Sequence, residues 1–388
     1  MFRIVAFVLV IYTVLRFVLP LRAAWPAKAA LSVFIVAAAF KQQFFTHIGG
    51  HFFSPELPKL VIEGYTAAFV ALAVLFALTL CRDLLLVLRS IARAADAWRT
   101  GSGMYYGVFS SSGISPATAA LMLALSLAVG VYGVYEAQRQ PRIVEREAAF
   151  AELPPEFDGY RIIHLSDLHI SASRKAPWTA ELVRRIAELE PDMILMTGDF
   201  IDGTVEARRG DVEPLAGLRA RDGVFGVLGN HEYYFGWREW TARLEELGVD
   251  ILFNEHRIIR RGDAALAVAG LPDGYSARYG GGVPDERRAI EGAPEGAFVI
   301  VMDHRPGNAR ANAAAGADLQ LSGHTHGGMV RGLARVIAKY NGGFVNGWYD
   351  VDGMKLFVSP GTGIWNGFLT RIGVPSELTV LTLRRDGE

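Results

Sequence analysis

Five short polar motifs, each closing a short apolar run, constrain this chain more than any other feature. In order they are Ser166-Asp167-Leu168-His169, Gly198-Asp199, Gly229-Asn230-His231-Glu232, His304 within Asp303-His304-Arg305-Pro306, and Gly323-His324-Thr325-His326. Eight side chains bearing oxygen or nitrogen therefore stand at the ends of candidate strands. A fold that gathers those strand ends in one place could use them together, and such a set suits a hydrolytic site with two metals. Asp carboxylates and imidazoles are good ligands for divalent first-row metals.

The spacing supports this reading. Asp167 and His169 are two residues apart and can grip one ion at a strand end. Gly198 lets the backbone turn sharply before Asp199, whose two oxygens could bridge two metals. Asn230 offers a neutral amide oxygen. His324 and His326, again two apart, could give one imidazole to each metal. Taken singly, each residue has a plainer reading: an Asp at a strand end is usually a cap, and a lone His is usually a satisfied polar group. The ordered set of eight is what argues against it. His164 falls inside the first strand, where support of a ligand is its best role. His256 reads as structural, and His47 and His51 as an interface loop. Glu232 either orients His231 or caps a helix.

From Tyr160 onward, strand-like runs alternate with helical segments. The strands are expected at Arg161–Leu165, Met193–Met196, Val224–Leu228, Ile251–Phe253, Leu266–Leu271, Phe298–Met302, Leu319–Leu321, Met354–Val358 and Leu378–Leu383. Helices are expected at Trp178–Leu189, Val212–Arg219, Trp237–Leu247, Pro284–Gly292 and Pro306–Ala315. Alternation of this kind indicates an α/β domain. Several runs are apolar throughout, as for strands buried on both faces. There is no internal repeat and no low-complexity tract.

The first part of the chain differs. Phe2–Leu19, Trp25–Phe40, Tyr65–Cys81 and Ala117–Tyr135 are candidate membrane spans, measured against the roughly 20 apolar residues a crossing helix needs. A cleaved signal peptide would explain only the first. Residues 82–100, punctuated by Arg82, Arg89, Arg93 and Arg99, read either as an amphipathic helix at the membrane surface or as an extension of the third span. Residues 101–115 read as a Gly/Ser-rich turn. The expected division is 1–140 transmembrane, 141–157 linker and 158–388 catalytic. Residues 1–150 carry a net charge of +6 and residues 151–388 a net −7. No basic face for nucleic acid is evident. The single cysteine, Cys81, excludes an intramolecular disulfide and a Cys-rich zinc site.

Over residues 158–388 the motifs and their order resemble the calcineurin-like metallophosphoesterase superfamily, in its membrane-anchored branch. The resemblance implies a two-sheet sandwich flanked by helices, preceded by an α-helical transmembrane domain of about four spans. It implies two divalent cations, manganese first, with zinc, iron or magnesium as alternatives. Asp167, His169 and His326 would then hold the first, Asn230, His304 and His324 the second, and Asp199 would bridge them. His231 would contact the phosphate or protonate the leaving oxygen. The expected activity is hydrolysis of a phosphodiester, pyrophosphate or phosphomonoester in a lipid or cell-envelope precursor at the bilayer. Alternatives are soluble substrates, or a membrane sensor with a phosphoesterase output domain. Arg305 and Arg371 are candidates for meeting a substrate phosphate. The aromatic residues of 327–371, among them Tyr340, Trp348 and Trp365, could enter a bilayer interface, hold an acyl chain or pack over the sheet. The basic cluster at 82–99 reads as cytoplasmic. That places the catalytic domain outside a bacterial-type inner membrane.

Overall fold

The computed structural model describes residues 2–101 and 113–387; most of the turn expected over 101–115 lies outside them. The chain forms two units, Met1–Phe52 with Leu60–Val134 and Phe53–Lys59 with Tyr135–Glu388.

In the first unit, helices run over Phe2–Thr13, Trp25–Ala39, Lys41–His47 and Lys59–Thr100, and a further helix, Pro116–Gln138, enters the second unit near its end. Two helices, Lys59–Thr100 and Pro116–Gln138, are long and apolar enough to cross a membrane, and the bent pair Trp25–Ala39 with Lys41–His47 raises the number to three at most. The first expected span falls short in length: Phe2–Thr13 has 12 residues and its continuation Val14–Val18 adds 5, fewer than the roughly 20 of a crossing helix. Two to three spans, rather than about four, are thus supported among the described residues. Residues 82–100 continue the 42-residue helix Lys59–Thr100, which is the extension reading. Leu84, Leu85 and Leu88 stay exposed on that helix, as an apolar surface suited to lipid would. A side chain at Gly130 would lie 2.3 Å from the Ala67 carbonyl oxygen, so two helices can approach closely only because that residue is glycine. Arg16 is paired with Asp83 at 2.7 Å.

The second unit is a sandwich of two six-stranded sheets. Its strands are β1 (Arg142–Phe150), β2 (Arg161–Leu165), β3 (Met193–Met196), β4 (Val224–Gly226), β5 (Asp250–Ile251), β6 (Glu255–Arg261), β7 (Ala264–Gly270), β8 (Phe298–Met302), β9 (Leu319–Ser322), β10 (Gly347–Val351), β11 (Met354–Val358) and β12 (Glu377–Arg385). One sheet has the order β1-β12-β2-β3-β4-β5, the other β10-β11-β9-β8-β7-β6. Strands β2 to β5 are mutually parallel, as are β7, β8, β9 and β11. Successive side chains on a strand face opposite ways. Ile162 therefore joins Phe225, Phe298, Leu319 and Phe357 between the sheets, while its neighbour Ile163 joins Leu182 and Trp240 under the outer helices. Truncating a fully buried ring here, Phe298→Ala for example, would cost about 3–5 kcal/mol.

The expected linker is corrected in part. Arg142–Phe150 pairs with β12 over nine residues, and its burial alternates, so it is an edge strand of the first sheet. The helix expected at Val212–Arg219 lies earlier, at Val205–Val212, because Thr204 caps it through Ala207 N; a 3-10 turn with Pro214 follows.

Candidate metal centre

The motif residues follow the C-terminal ends of β2, β3, β4, β8 and β9, the same edge of the sandwich. Parallel strands make this possible, since each runs toward that edge before its loop begins. The loops are tight. Asp167, His169, Asp199, His324 and His326 all hold positive φ, between 47° and 67°. Each such residue costs roughly 1–2 kcal/mol, so five together signal a requirement beyond packing. Gly323 allows the closest approach: a Cβ there would sit 2.2 Å from Asp167 Oδ2.

Seven expected ligands and His231 meet in this edge. His326 Nε2 lies 3.5 Å from Asp167 Oδ1, and His169 Nε2 lies 3.9 Å from the same oxygen and 3.7 Å from Asp199 Oδ2. His304 Nε2 approaches Asp199 Oδ2 to 3.3 Å. Three three-residue groups result, Asp167-His169-His326, His169-Asp199-His231 and Asp199-His304-His324, with the atoms in each within 4.8 Å of one another. Asn230 closes the last group through Arg305, which donates to Asn230 Oδ1 at 2.8 Å and contacts His324 Nε2 at 3.0 Å.

The proton inventory tests whether these residues fit metal ions. His304 Nδ1 faces the Thr197 carbonyl oxygen at 2.7 Å, so that nitrogen donates. His169 Nδ1 likewise faces Asp202 Oδ1 at 3.1 Å. The remaining Nε2 atoms of His169 and His304 are buried, aimed at carboxylates, and have no hydrogen-bond partner. A nitrogen so placed needs a positive charge between it and the carboxylate, either its own proton, as in His304, whose pKa burial lowers but Asp199 and Asp167 raise to about 10, or a cation in the proton's place. Burial pushes Asp199 up, but His304, His231 and His169 hold it well below the usual carboxylate range. Burial, with Arg305 beside His324 and His169 beside His326, holds both imidazoles well below their ordinary value. Asp167 shifts the other way, raised by burial, and, like His304, would release a proton as a cation binds, since ionised carboxylate and neutral imidazole are the forms that bind metal. The donor set fits two divalent cations sharing Asp199.

His231 lies beside this cluster, its Nε2 3.9 Å from Asp199 Oδ2. Asp202 Oδ1 accepts from its Nδ1 at 2.5 Å. Burial pulls its pKa down, but Asp199 and Asp202 more than offset that, raising it to about 9.

The neighbours sort the open readings. Glu232 takes the cap reading, accepting the Gly229 N–H at the start of the helix Asn230–Tyr234, and makes no bond to His231. Its carboxylate accepts the N–H groups of Asp199, Phe200, Ile201 and Gly229, locking two motif loops together. Arg371 is fully buried and donates to the carbonyls of His326, Pro360, Gly361, Gly363 and Val374. It braces the last histidine loop and does not face a phosphate. Arg305 does reach the site, anchored on Asp273 at 2.6 Å. His164 bonds Thr197 Oγ1, one residue before Gly198, and so supports the Asp199 loop. Tyr340 is exposed, Trp348 packs on Phe357, and Trp365 stands beside His231. Asp202 is the residue that sequence reasoning missed. Its signal was a second carboxylate three positions after Asp199.

The profile of the family described as "Calcineurin-like phosphoesterase" matches residues 160–328. A protein of Bos taurus named "Transmembrane protein with metallophosphoesterase domain" is 32% identical over 336 residues, covering 83% of this chain and 75% of its own. Its namesake of Danio rerio is 31% identical over 274 residues, covering 68% and 62%. An "Uncharacterized metallophosphoesterase" of Helicobacter pylori is 30% identical, covering 65% and 66%. The chain thus spans somewhat less than two thirds of the Danio rerio relative's length.

Proposed function

The chain belongs to the calcineurin-like phosphoesterase family, and we propose that it hydrolyses a phosphoric ester carried by a lipid or cell-envelope precursor at a bilayer. One observation carries the hydrolytic part: Asp199 stands between two groups of histidines, and among them His169 Nε2, His304 Nε2 and His326 Nδ1 are buried without a hydrogen-bond partner. Asp167, His169 and His326 would hold one divalent cation, and Asn230, His304 and His324 the other, with Asp199 common to both. When bound, such a pair would supply Lewis-acid charge at the phosphoryl oxygens and a water of lowered pKa; manganese is the first candidate.

The chain's own residues supply the rest. Asp202 fixes the His231 proton on Nδ1, so Nε2 carries the exchangeable one. Held by Asp202 beside the cluster, His231 can give that proton to the departing oxygen. Arg305, at the rim, offers a fixed positive charge to a phosphate. The bilayer and lipid part rests on the apolar helices of the first unit and on the names of the relatives. The outward orientation rests on the basic cluster at 82–99. A reporter fused after residue 388 tests it, and cytoplasmic reporter activity would reverse it.

The central test is His231→Ala, assayed with manganese on phosphatidic acid and on a soluble alkyl phosphate. Turnover should fall on the order of 10²–10⁴-fold with cation content unchanged. Unchanged turnover would remove His231 from the chemistry. Wild-type activity on soluble esters alone would defeat the lipid reading.

A further inference from the structure

Three aromatic rings surround His231 from a side that the chemistry above leaves unexplained. Phe53 meets the imidazole edge-on at 5.4 Å between centroids, Tyr234 lies at 5.4 Å and Trp365 at 5.9 Å. Phe53 also packs on Tyr234 at 5.1 Å and on Trp365 at 5.2 Å. His231 itself is buried, whereas all three rings are only half-buried. Buried acid and partly open rings thus lie next to one another.

The position of Phe53 is built. It belongs to the seven-residue segment Phe53–Lys59, which falls within the second unit although its chain neighbours on both sides fall in the first. Glu56 of this segment pairs with the Arg208 guanidinium, which is almost wholly buried. Arg208 in turn donates to the Asp202 carbonyl oxygen at 3.2 Å and to Asp211 at 3.0 Å. Gly203, at φ +119°, makes room for Ser54, whose Oγ would lie 3.0 Å from a Cβ there. The residue that orients His231, Asp202, is therefore held by the same bracket as the segment carrying Phe53.

We propose that Phe53, with Tyr234 and Trp365, forms a subsite for the leaving group and selects esters whose departing alcohol carries an alkyl or acyl chain. The proposal rests on the phosphoesterase reading above. An acid that protonates the departing oxygen has the rest of the leaving group beyond it, on the side away from the phosphoryl group. Asp199 marks the phosphoryl side of His231, and the rings flank the imidazole. Their chemistry favours an apolar guest, since ring faces and edges contribute dispersion and burial. A planar base sandwiched between two rings needs a gap of about 7 Å, twice a van der Waals contact. Phe53 and Trp365, 5.2 Å apart and tilted by 33°, leave no such slot. An alkyl chain, lying along their open edges, needs none.

The test compares propyl and octyl esters of phosphate and of methyl phosphate, with the full-length protein loaded with manganese. Calorimetric binding of n-propylphosphonate and n-octylphosphonate is measured in parallel. Wild type should favour the octyl member about tenfold or more in both kcat/KM and affinity. Phe53→Ala should erase most of that preference, Phe53→Leu should restore part of it, and Glu56→Gln should weaken it in the same direction. The change should fall in KM for the octyl ester more than in kcat. No chain-length preference in wild type overturns the proposal. So does Phe53→Ala lowering both esters equally, which is the signature of a merely structural residue. Turnover that persists without a preference leaves the phosphoesterase reading intact. A wild type that binds two cations yet hydrolyses none of the esters removes that reading, and this proposal with it.

Discussion

The two halves of the metal centre each offer two histidines and share Asp199, but one adds the Asp167 carboxylate and the other the neutral Asn230 amide, and their ligand atoms are engaged differently. Around Asp167, His169 and His326, the His169 Nε2 and His326 Nδ1 atoms have no hydrogen-bond partner. Around Asp199, His304 and His324, Arg305 donates to Asn230 and contacts His324 while its own Nε stays on Asp273. A cation entering the first half meets no arginine, although the Asp167 carboxylate already accepts from Ser166 Oγ and the His324 N–H. One entering the second must displace two contacts of an arginine and settle beside its charge. Occupancy should therefore be stepwise, with the first half tighter. The extra carboxylate of Asp167 and the arginine charge beside Asn230 and His324 act in the same direction.

The severest way to break the comparison is to remove the group both halves share. Asp199→Ala should abolish binding of both cations and lower turnover by on the order of 10³-fold or more, since several kcal/mol of transition-state stabilisation go with them. Metal content of the purified protein by mass spectrometry checks it; a variant that keeps two ions per chain would show that Asp199 is not shared.

A smaller change should separate the halves. Asp202 supports His169 and His231 and touches neither His304 nor His324. Asp202→Asn should weaken the first cation and activity by about 10–100-fold, the usual cost of losing an outer partner, while leaving the second cation's affinity as it was. Equal weakening of both cations would mean that the halves are not independent.

Much of this could be read in the sequence, and what could not has a common cause. Strands β2, β3 and β8 lie inside sheets and are buried on both faces, so they read as apolar runs of the right length. Strands β1, β6 and β10 were not foreseen. All three are at sheet edges, and β1 and β6 carry Arg142, Glu145, Arg146, Arg257 and Arg260. Edge strands take charged residues because one side meets water, and that disguises them as linkers or loops. The ligand residues were visible because each is tied to a local motif. Asp202, Phe53 and the Glu56–Arg208 pair were not, because their roles come from contacts across 29, 178 and 152 positions. The unbroken helix Lys59–Thr100 was one of two open readings, since arginines at its far end suit either a surface helix or an extension.

The mildest expected effect bears on the asymmetry itself. Arg305→Gln takes a positive charge away from the second half while leaving its ligands in place. Two unit charges a few ångströms apart at a protein surface interact by up to about 4 kcal/mol, and the partial exposure of Arg305 reduces this. The second cation should then bind tighter by about tenfold, and the first should hardly change. Stability should move the other way. Asp273 is fully buried and would lose its ion-pair partner, at a cost of about 1–3 kcal/mol, below the 3–5 of a wholly buried pair. The two readouts, calorimetric cation affinity and thermal midpoint, should therefore diverge in one variant. If the second cation instead weakens, Arg305 is an organiser of His324 and Asn230 and not their competitor, and the difference between the halves must come from the carboxylates alone.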